Sequence, residues 1–373
     1  MAKNLYKKKA EKLLSKADIK INGPHTWDIQ VHDERLYRRI FSGGTLAAGE
    51  AYMDGWWDVK DLDVFFTRLF NAQVQRELVS FATIKLYLSA TVLNMQSRSG
   101  SQKVAKEHYD LGNDFYHDML DPDYMQYTCG YWKNAKNLNQ AQKNKLDLVC
   151  KKLKLKKGEK VLELGCGWGG FAKYAAEKYG VEVTSYNISK EQVEYARKIT
   201  KGLPVKIVHA DYRDASGLYD KVVSIGMCEH IGYKNYRKFM KLAYSCLKPG
   251  GLFLCHTIAT NKSVKNTDPW INKYIFPNSM LPSAVQLTNA FEGLFVLEDW
   301  HNFGPDYDKT LLAWDANFRK NWHKYKAQYG ERFYRMWRFY LMTSAGQFRA
   351  RKIQLWQIVL SKGGVPGGYE SVR

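Results

Sequence analysis

The sequence predicts an α/β fold in which a mostly parallel sheet carries helices on both faces. Beyond about residue 155, short apolar runs alternate with segments of helical periodicity, as in βα units built around one sheet. One of these runs, KVLELGCGWGGF (160–171), ends abruptly in glycines. That pattern is typical of a buried strand that passes through a tight turn into a helix.

The elements of this sheet domain follow in order along the chain. Strands are expected near 160–164, 181–186, 205–209, 220–226, 251–258, 294–300 and 353–361. Helices are expected between them, near 168–179, 189–200 and 233–247. A long aromatic-rich helical insertion, WDANFRKNWHKYKAQYGERFYRMWRFYLM, separates the last two strands.

Residues 1–100 have a different character, mostly helical and irregular, without a glycine turn of the nucleotide-binding type. We therefore predict a smaller N-terminal domain with a linker over 1–100 and the sheet domain over 101–373. The first twenty residues are rich in lysine: Lys3, Lys7, Lys8, Lys9, Lys12, Lys16 and Lys20. An apolar stripe accompanies them, formed by Leu5, Leu13, Leu14 and Ala17. An interfacial amphipathic helix and a solvated basic segment explain this composition equally well.

The chain is strongly basic, with a formal net charge of +20 over 373 residues. Such an excess favours an anionic partner, which leaves nucleic acid, an acidic membrane surface and a polyanionic substrate open. The six cysteines contain no C-x-x-C pair, so we expect no metal site and a reducing cytoplasm. The longest apolar stretch, residues 81–95, is too short to span a bilayer and contains Lys85. Membrane contact is therefore expected to be peripheral, at the inner face of the membrane.

The glycine turn indicates which cofactor is bound. A dinucleotide site would need an acid at the end of the second strand, where this chain has Tyr186-Asn187. A P-loop would need Lys-Ser or Lys-Thr after the glycines, where this chain has Trp168-Gly169. An adenosyl cofactor remains. The carboxylate of Glu163 would attract a sulfonium cofactor and repel a pyrophosphate, so we favour S-adenosylmethionine.

Several motifs together resemble one family. ELGCGWGG, MQYTCGYW, SIGMCEHIG, LCHTIA, EHYDLGNDFY, DPWINKYIFP and AYMDGWWD occur in the order and spacing of the cyclopropane fatty acid synthases. The mycolic acid cyclopropane synthases are similar over the catalytic half. The resemblance covers nearly the whole chain and implies a class I S-adenosylmethionine-dependent methyltransferase fold, which is Rossmann-like, in the catalytic domain. It also implies a homodimer.

The family reaction transfers a methylene group from S-adenosylmethionine to a cis double bond in a phospholipid acyl chain, through a carbocation that bound bicarbonate deprotonates. The resemblance implies bicarbonate ligands at Cys129, Glu229, His256, Ile258 and Tyr307. It implies cofactor contacts at Tyr127, Thr128, Gly165, Gly167, Asn187, Ile188, Gln192, Asp211 and Tyr212. Some members have a cysteine where this chain has Ser344, so a mechanism with that cysteine as nucleophile is not available here.

Three other functions compete with this interpretation. A nucleic-acid methyltransferase suits the positive charge, but SIGMCEHIG stands where the Asn/Asp-Pro-Pro-aromatic motif is expected. A small-molecule N-methyltransferase would not need the first hundred residues, and a non-enzymatic membrane module would not need the glycine turn. A fourth alternative, methyl-branched lipid as the product, is separated from ring closure only by the family resemblance.

Overall fold

The computed structural model of the protein describes residues 2–77, 96 and 112–373. Its helices are α1 (Ala2–Ser15), α2 (Arg35–Met53), α3 (Leu62–Asn71), α4 (Asn113–Met119), α5 (Leu138–Lys152), α6 (Gly170–Tyr179), α7 (Lys190–Ile199), α8 (Cys228–Ile231), α9 (Tyr236–Cys246), α10 (Pro269–Tyr274), α11 (Ala284–Phe291), α12 (Pro305–Asn321) and α13 (Lys326–Arg349). Its strands are β1 (Gln30–Val31), β2 (Trp57–Asp58), β3 (Lys160–Leu164), β4 (Glu182–Asn187), β5 (Val205–His209), β6 (Tyr219–Ile225), β7 (Leu247–Thr260), β8 (Val296–Asn302) and β9 (Ile353–Ser361).

The chain divides into two compact units. The first comprises Met1–Leu93, Lys265–Asn278 and Leu311–Ile353, and the second comprises Asn94–Val264, Ser279–Thr310 and Gln354–Arg373. The predicted boundary near residue 100 and the apolar stretch 81–95 lie outside the described residues. The first unit contains two later segments of the chain in addition to its N-terminal part, and the second of these includes the whole aromatic-rich insertion.

The second unit is built on a seven-stranded sheet of order β5-β4-β3-β6-β7-β9-β8. β3 pairs in parallel with β4 and β6, and the parallel ladders continue to β5 and β7. β8 and β9 pair antiparallel, so the sheet is mixed. The carboxyl ends of β3 to β7 therefore meet at one edge, where open α/β sheets place their ligands.

Helices cover both faces of this sheet, which explains why the sequences of its strands are continuous apolar runs. One core joins Leu162, Val222 and Phe253 to the buried face of α9. The other joins Val161, Val223 and Leu254 to α5 and α6. The α/β prediction is confirmed, and β3, β5 and β9 have the predicted bounds. Helix α5 was not predicted.

Among its described residues, the first unit is built of helices and loops together with the two-residue strands β1 and β2, which pair antiparallel. Its core is aromatic: the rings of Trp270 and Phe339 lie 4.6 Å apart, and those of Phe66 and Phe339 lie 5.1 Å apart. Helices α3 and α13 approach closely at Gly346, where an added Cβ would lie 2.8 Å from Phe66 Cβ.

The lysine-rich start of the chain forms helix α1, and its apolar stripe is divided. Leu13 and Ala17 are buried, and Leu13 and Leu14 line an apolar cavity of about 110 Å³ in the first unit. Leu5 is 68% exposed. Most of the stripe therefore packs within this unit. Among the described residues, no helix has the length and apolarity needed to cross a membrane.

Candidate active site

The glycine turn after β3 is built against the end of β4. The N–H groups of Gly165 and Cys166 both donate to Tyr186 O, at 3.1 and 3.2 Å. Gly165 has φ +88°, and an added Cβ there would lie 2.8 Å from Met227 Sδ, so conformation and space both require glycine. At Gly167, an added Cβ would meet no atom within 4 Å. Open space next to this turn is what a cofactor needs.

The end of β4 brings three predicted cofactor residues to this turn. Asn187 Nδ2 donates to Gly167 O and to Gln192 Oε1, both at 3.0 Å. Ile188 O accepts a hydrogen bond from His209 Nε2 at 3.2 Å. Gln192 is positioned by the N-cap of α7, where Ser189 Oγ accepts from Gln192 N–H. Asn187, Ile188 and Gln192 thus form one polar wall beside the glycines.

The predicted pair Asp211-Tyr212 follows β5 at the same edge of the sheet. Asp211 Oδ1 accepts from Arg213 N–H at 2.9 Å, and its Oδ2 accepts from Arg213 Nη1 at 2.8 Å. The Tyr212 ring packs edge-on against Phe239, with 5.7 Å between ring centroids. Both carboxylate oxygens of Asp211 are therefore engaged locally, and its predicted contact with the cofactor stays a prediction.

Glu163 lies at the end of β3, immediately before the glycine turn. It is 2% exposed, and its Oε2 accepts from Ser185 Oγ at 2.6 Å. Burial raises the pKa of this carboxyl to about 7, because burial disfavours the charged form. A cation bound nearby would favour the carboxylate, as expected for a sulfonium cofactor.

Residues 121–129, which we call the strap, carry Tyr127, Thr128 and Cys129. An added Cβ at Gly170, the first residue of α6, would lie 2.1 Å from Tyr124 O. An added Cβ at Gly226, just after β6, would lie 2.8 Å from Thr128 Cγ2. The strap therefore crosses from the helix that follows the glycine turn to the end of β6.

Glu229 and Ile258 are in direct contact. Glu229 is 6% exposed, and its Oε1 accepts from the Ile258 N–H at 2.6 Å. Its other oxygen, Oε2, is buried and has no hydrogen-bond partner among the described residues. Burial raises the pKa of Glu229 to about 7. The Ile258 N–H thus orients this carboxyl, and its predicted direct contact with an anion stays a prediction.

His256 lies two residues before Ile258 on β7 and is 1% exposed. Gln357 Nε2 donates to its Nδ1 at 3.2 Å, which leaves the proton on Nε2 of the neutral ring. Burial and the positive charges of Lys145 and Lys152 hold the pKa of His256 well below its usual range. His256 Nε2 has no hydrogen-bond partner among the described residues, so it offers an unused N–H donor.

Cys129 and Tyr307 are brought to this edge by the start of α12. The hydroxyl of Thr310 accepts from the Gly130 N–H at 3.1 Å, and Asp306 Oδ2 accepts from the Trp132 N–H at 2.8 Å. The Phe303 ring lies 5.9 Å from that of His256, and Tyr307 follows one turn later, 6% exposed. Burial raises the pKa of the Cys129 thiol well above its usual range, so the residue presents no thiolate.

Two buried polar residues at the site were missed by the sequence analysis. Lys145 is fully buried on α5 and contacts the strap; Gln357 lies inside β9, which is buried along its length. The sequence contains a feature that could have identified each of them as a buried polar residue. Lys145 falls on the apolar face of α5, in register with Leu138, Ala141 and Val149, and Gln357 interrupts the apolar run IQLWQIVLS.

Comparison with known proteins identifies related sequences. The family described as mycolic acid cyclopropane synthetase matches residues 96–358. The cyclopropane-fatty-acyl-phospholipid synthase of Escherichia coli K12 is 49% identical over 355 residues, which cover 95% of this chain and 93% of that protein. A probable fatty acid methyltransferase of Pseudomonas putida is 38% identical, with 68% of each chain covered.

Comparison with solved structures gives the same grouping. The mycolic acid cyclopropane synthase CmaA1, solved with SAH and CTAB, superposes with a TM-score of 0.65 at 30% identity. The match covers 70% of this chain and 98% of that one. The class I methyltransferase fold predicted for the sheet domain is thereby confirmed.

Proposed function

This chain belongs to the mycolic acid cyclopropane synthetase family, and from that premise we propose that it transfers a methylene group from S-adenosylmethionine to the cis double bond of unsaturated phospholipid acyl chains, giving cyclopropane fatty acids. The E. coli relative has the corresponding activity in its name and matches along almost the full length of both chains.

The observation that carries the proposal is a pair of unsatisfied buried atoms at the end of the sheet. His256 Nε2–H is a donor without an acceptor, and Glu229 Oε2 is an acceptor without a donor, among the described residues. Buried polar atoms are almost always hydrogen-bonded in native proteins. Bicarbonate has both acceptor oxygens and one hydroxyl donor, so it complements this pair.

The residues around the pair also fit a small anion. The Cys129 N–H takes part in no hydrogen bond of the described residues, and the Tyr307 side chain is buried in the first turn of α12. We propose that Glu229 Oε2 would accept a hydrogen bond from the bicarbonate hydroxyl, while His256, the Tyr307 hydroxyl and the Cys129 N–H would donate to its oxygens. Ile258 would contribute by orienting the Glu229 carboxylate through its N–H.

For the cofactor, the proposed contacts are those of the glycine turn and its polar wall, with Tyr127, Thr128, Asp211 and Tyr212 completing the site. Bound there, S-adenosylmethionine supplies an electrophilic methyl group and bicarbonate supplies the base. Glu163 then acts electrostatically, since its carboxylate favours a cationic ligand.

The remaining demand on the protein is to protect a carbocation on the acyl chain from water. No side-chain nucleophile is needed, because the alkene itself attacks. The buried Phe303 ring beside His256 can stabilise a nearby cation by roughly 0.5–2 kcal/mol. His256 stays neutral, so it does not repel that cation, and the protonated thiol of Cys129 does not trap it.

We further propose peripheral docking on anionic lipid by residues 1–100, in a homodimeric, cytoplasmic enzyme. The charge of +20 supports it, since each basic residue near an anionic surface contributes about 1 kcal/mol. On α1, Lys8 and Lys12 are exposed on the same helix as Leu5. We expect Lys8→Glu/Lys12→Glu to weaken co-sedimentation with anionic vesicles at low salt.

The matched control for docking is Lys178→Glu/Lys198→Glu, which makes the same charge change at exposed positions of α6 and α7. Equal loss of vesicle binding in both double variants would show that overall charge, and not α1, carries the attraction. Retention of binding by Lys8→Glu/Lys12→Glu would remove α1 from the docking surface.

The reaction is tested with purified protein, S-adenosylmethionine, bicarbonate and anionic vesicles of mono-unsaturated phospholipid. Loss of olefinic protons, a mass gain of one CH₂ and upfield cyclopropyl signals are expected by NMR and mass spectrometry. Removal of bicarbonate is expected to lower turnover, and full turnover without it would exclude it as the base.

A second product is favoured by one comparison. The P. putida relative is named for fatty acid methylation, and the same carbocation can end as a methyl-branched or methylene chain. A mass gain of one CH₂ without cyclopropyl signals would establish that outcome. Absence of any lipid product would point to a soluble amine or nucleic acid as the methyl acceptor.

A further inference from the structure

Lys145 is the feature of the site that the proposed chemistry does not use. It lies in the middle of α5 and is 0% exposed. Its Nζ donates to Thr128 Oγ1 at 2.9 Å and to Gln126 Oε1. Among the described residues this ammonium makes no ion pair, although a buried charge normally requires one. Such a group is retained at a cost to stability.

The two acceptors of Lys145 flank Tyr127 on the strap. Other bonds hold the same stretch: Asp121 accepts from the N–H groups of Tyr124 and Gln126, at 2.8 and 2.7 Å. Gln142 Nε2 donates to Thr128 O at 2.8 Å. The strap is therefore fixed from two sides, by a carboxylate within it and by α5 behind it.

The backbone of the strap is held in an unfavourable conformation. Met125 has φ +46°, a region that side chains other than glycine, Asn and Asp rarely adopt. Local strain of this kind persists only where surrounding contacts over-determine the conformation. The bonds from Asp121, Gln142 and Lys145 are those contacts.

We infer that Lys145 is a positioning residue, whose buried ammonium holds Tyr127, Thr128 and Cys129 in place for the cofactor and the anion. The inference rests on the proposed cofactor site and adds a role for a residue that touches neither ligand. Lys145 and Lys152 lie two turns apart on one face of α5, and both are buried. Their positive charges act on His256 and lower its pKa, so they also favour an anion beside that ring.

Lys145→Met tests the inference, because Met nearly matches the length of Lys and removes only the charge and the donors. Removal of the buried charge stabilises the fold, whereas loss of the hydrogen bonds to Gln126 and Thr128 destabilises it. Because the two effects oppose each other, we expect the Tm to change little by calorimetry. We expect binding of S-adenosylhomocysteine to weaken by about tenfold or more, the effect of losing hydrogen bonds to a charged donor. The bicarbonate concentration that gives half-maximal turnover should rise as well.

Lys151→Met is the matched control, since Lys151 lies on the same helix, is exposed and pairs with Asp147 at the surface. It should bind S-adenosylhomocysteine like the wild type. If Lys145 had a purely structural role, Lys145→Met would have a lower Tm and an unchanged affinity for S-adenosylhomocysteine. That result would overturn the inference.

Gln126→Met is a second variant in case Lys145→Met does not fold. It removes one acceptor of Lys145 and should weaken S-adenosylhomocysteine binding by a smaller factor; unchanged binding would count against the positioning role. If the wild type binds S-adenosylhomocysteine but forms no lipid product, only the proposed reaction fails. If it does not bind, both proposals fail.

Discussion

Glu229 offers a prediction in which stability and activity change in opposite directions. Burial raises the pKa of this carboxyl from 4.5 to about 7, so the folded protein holds the proton over a pH range in which the unfolded chain has lost it. The free energy of unfolding therefore falls as pH rises from about 4.5 to 7. Glu229→Gln, which cannot ionise, escapes this loss.

The size of the effect follows from the pKa values. A rise from 4.5 to about 7 corresponds to about 3 kcal/mol, which for a chain of this length is roughly 4 °C in Tm. We expect Glu229→Gln and the wild type to melt together near pH 4 and to separate by that amount at pH 8. Glu163 also has a raised pKa, but it is present in both proteins and cancels in the difference.

Activity should change the other way. In Glu229→Gln the Ile258 N–H can still donate to the amide oxygen of the new side chain, so the geometry is kept. However, an NH₂ donor would then stand where, in the proposed site, Oε2 accepts a hydrogen bond from the hydroxyl of the anion. We expect turnover to fall by about a hundredfold or more.

Calorimetry across pH 4–8 without ligands, together with the vesicle assay, checks both parts. Glu177→Gln, at an exposed position of α6, is the control and should melt with the wild type at every pH. A Tm for Glu229→Gln at or below that of the wild type at pH 8 would refute the reasoning, because it would mean that the native carboxylate is already satisfied.

Three further changes test the packing around the site and the first unit. Gly170→Ala should lower stability by about 1–3 kcal/mol and weaken S-adenosylhomocysteine binding, because the new Cβ would meet Tyr124 O on the strap. Chemical denaturation measures the first effect and calorimetric titration the second. Unchanged affinity would show that the position of the strap does not affect cofactor binding. Gly346→Ala should cost a similar amount through its contact with Phe66 and leave S-adenosylhomocysteine affinity unchanged. Gln357→Leu should lower turnover by about tenfold or more while Tm changes little, since His256 loses the donor that fixes its tautomer; full activity would show that another group orients the ring.

The local pattern of residues was sufficient to predict most of the sheet. Strands that are buried on both faces have continuous apolar sequences. Two of them, KVLEL and IQLWQIVLS, have the predicted bounds. The glycine turn and the motifs at Glu229 and His256 could also be predicted from the sequence. Each depends on a few residues that are adjacent in the chain. Together they were enough to identify the family and to favour the cofactor.

What the sequence by itself determined was therefore the α/β class, the succession of the seven strands of the sheet domain along the chain and the family to which the chain belongs. Only the tertiary structure decided that Gln357 orients His256 from 101 residues away, that Lys145 reaches the strap, and that residues 311–353 join the first compact unit. The physical reason is the range of the interactions involved. Hydrophobic periodicity and turn geometry act between near neighbours, whereas the partner of a buried polar group is chosen by sheet order and helix packing.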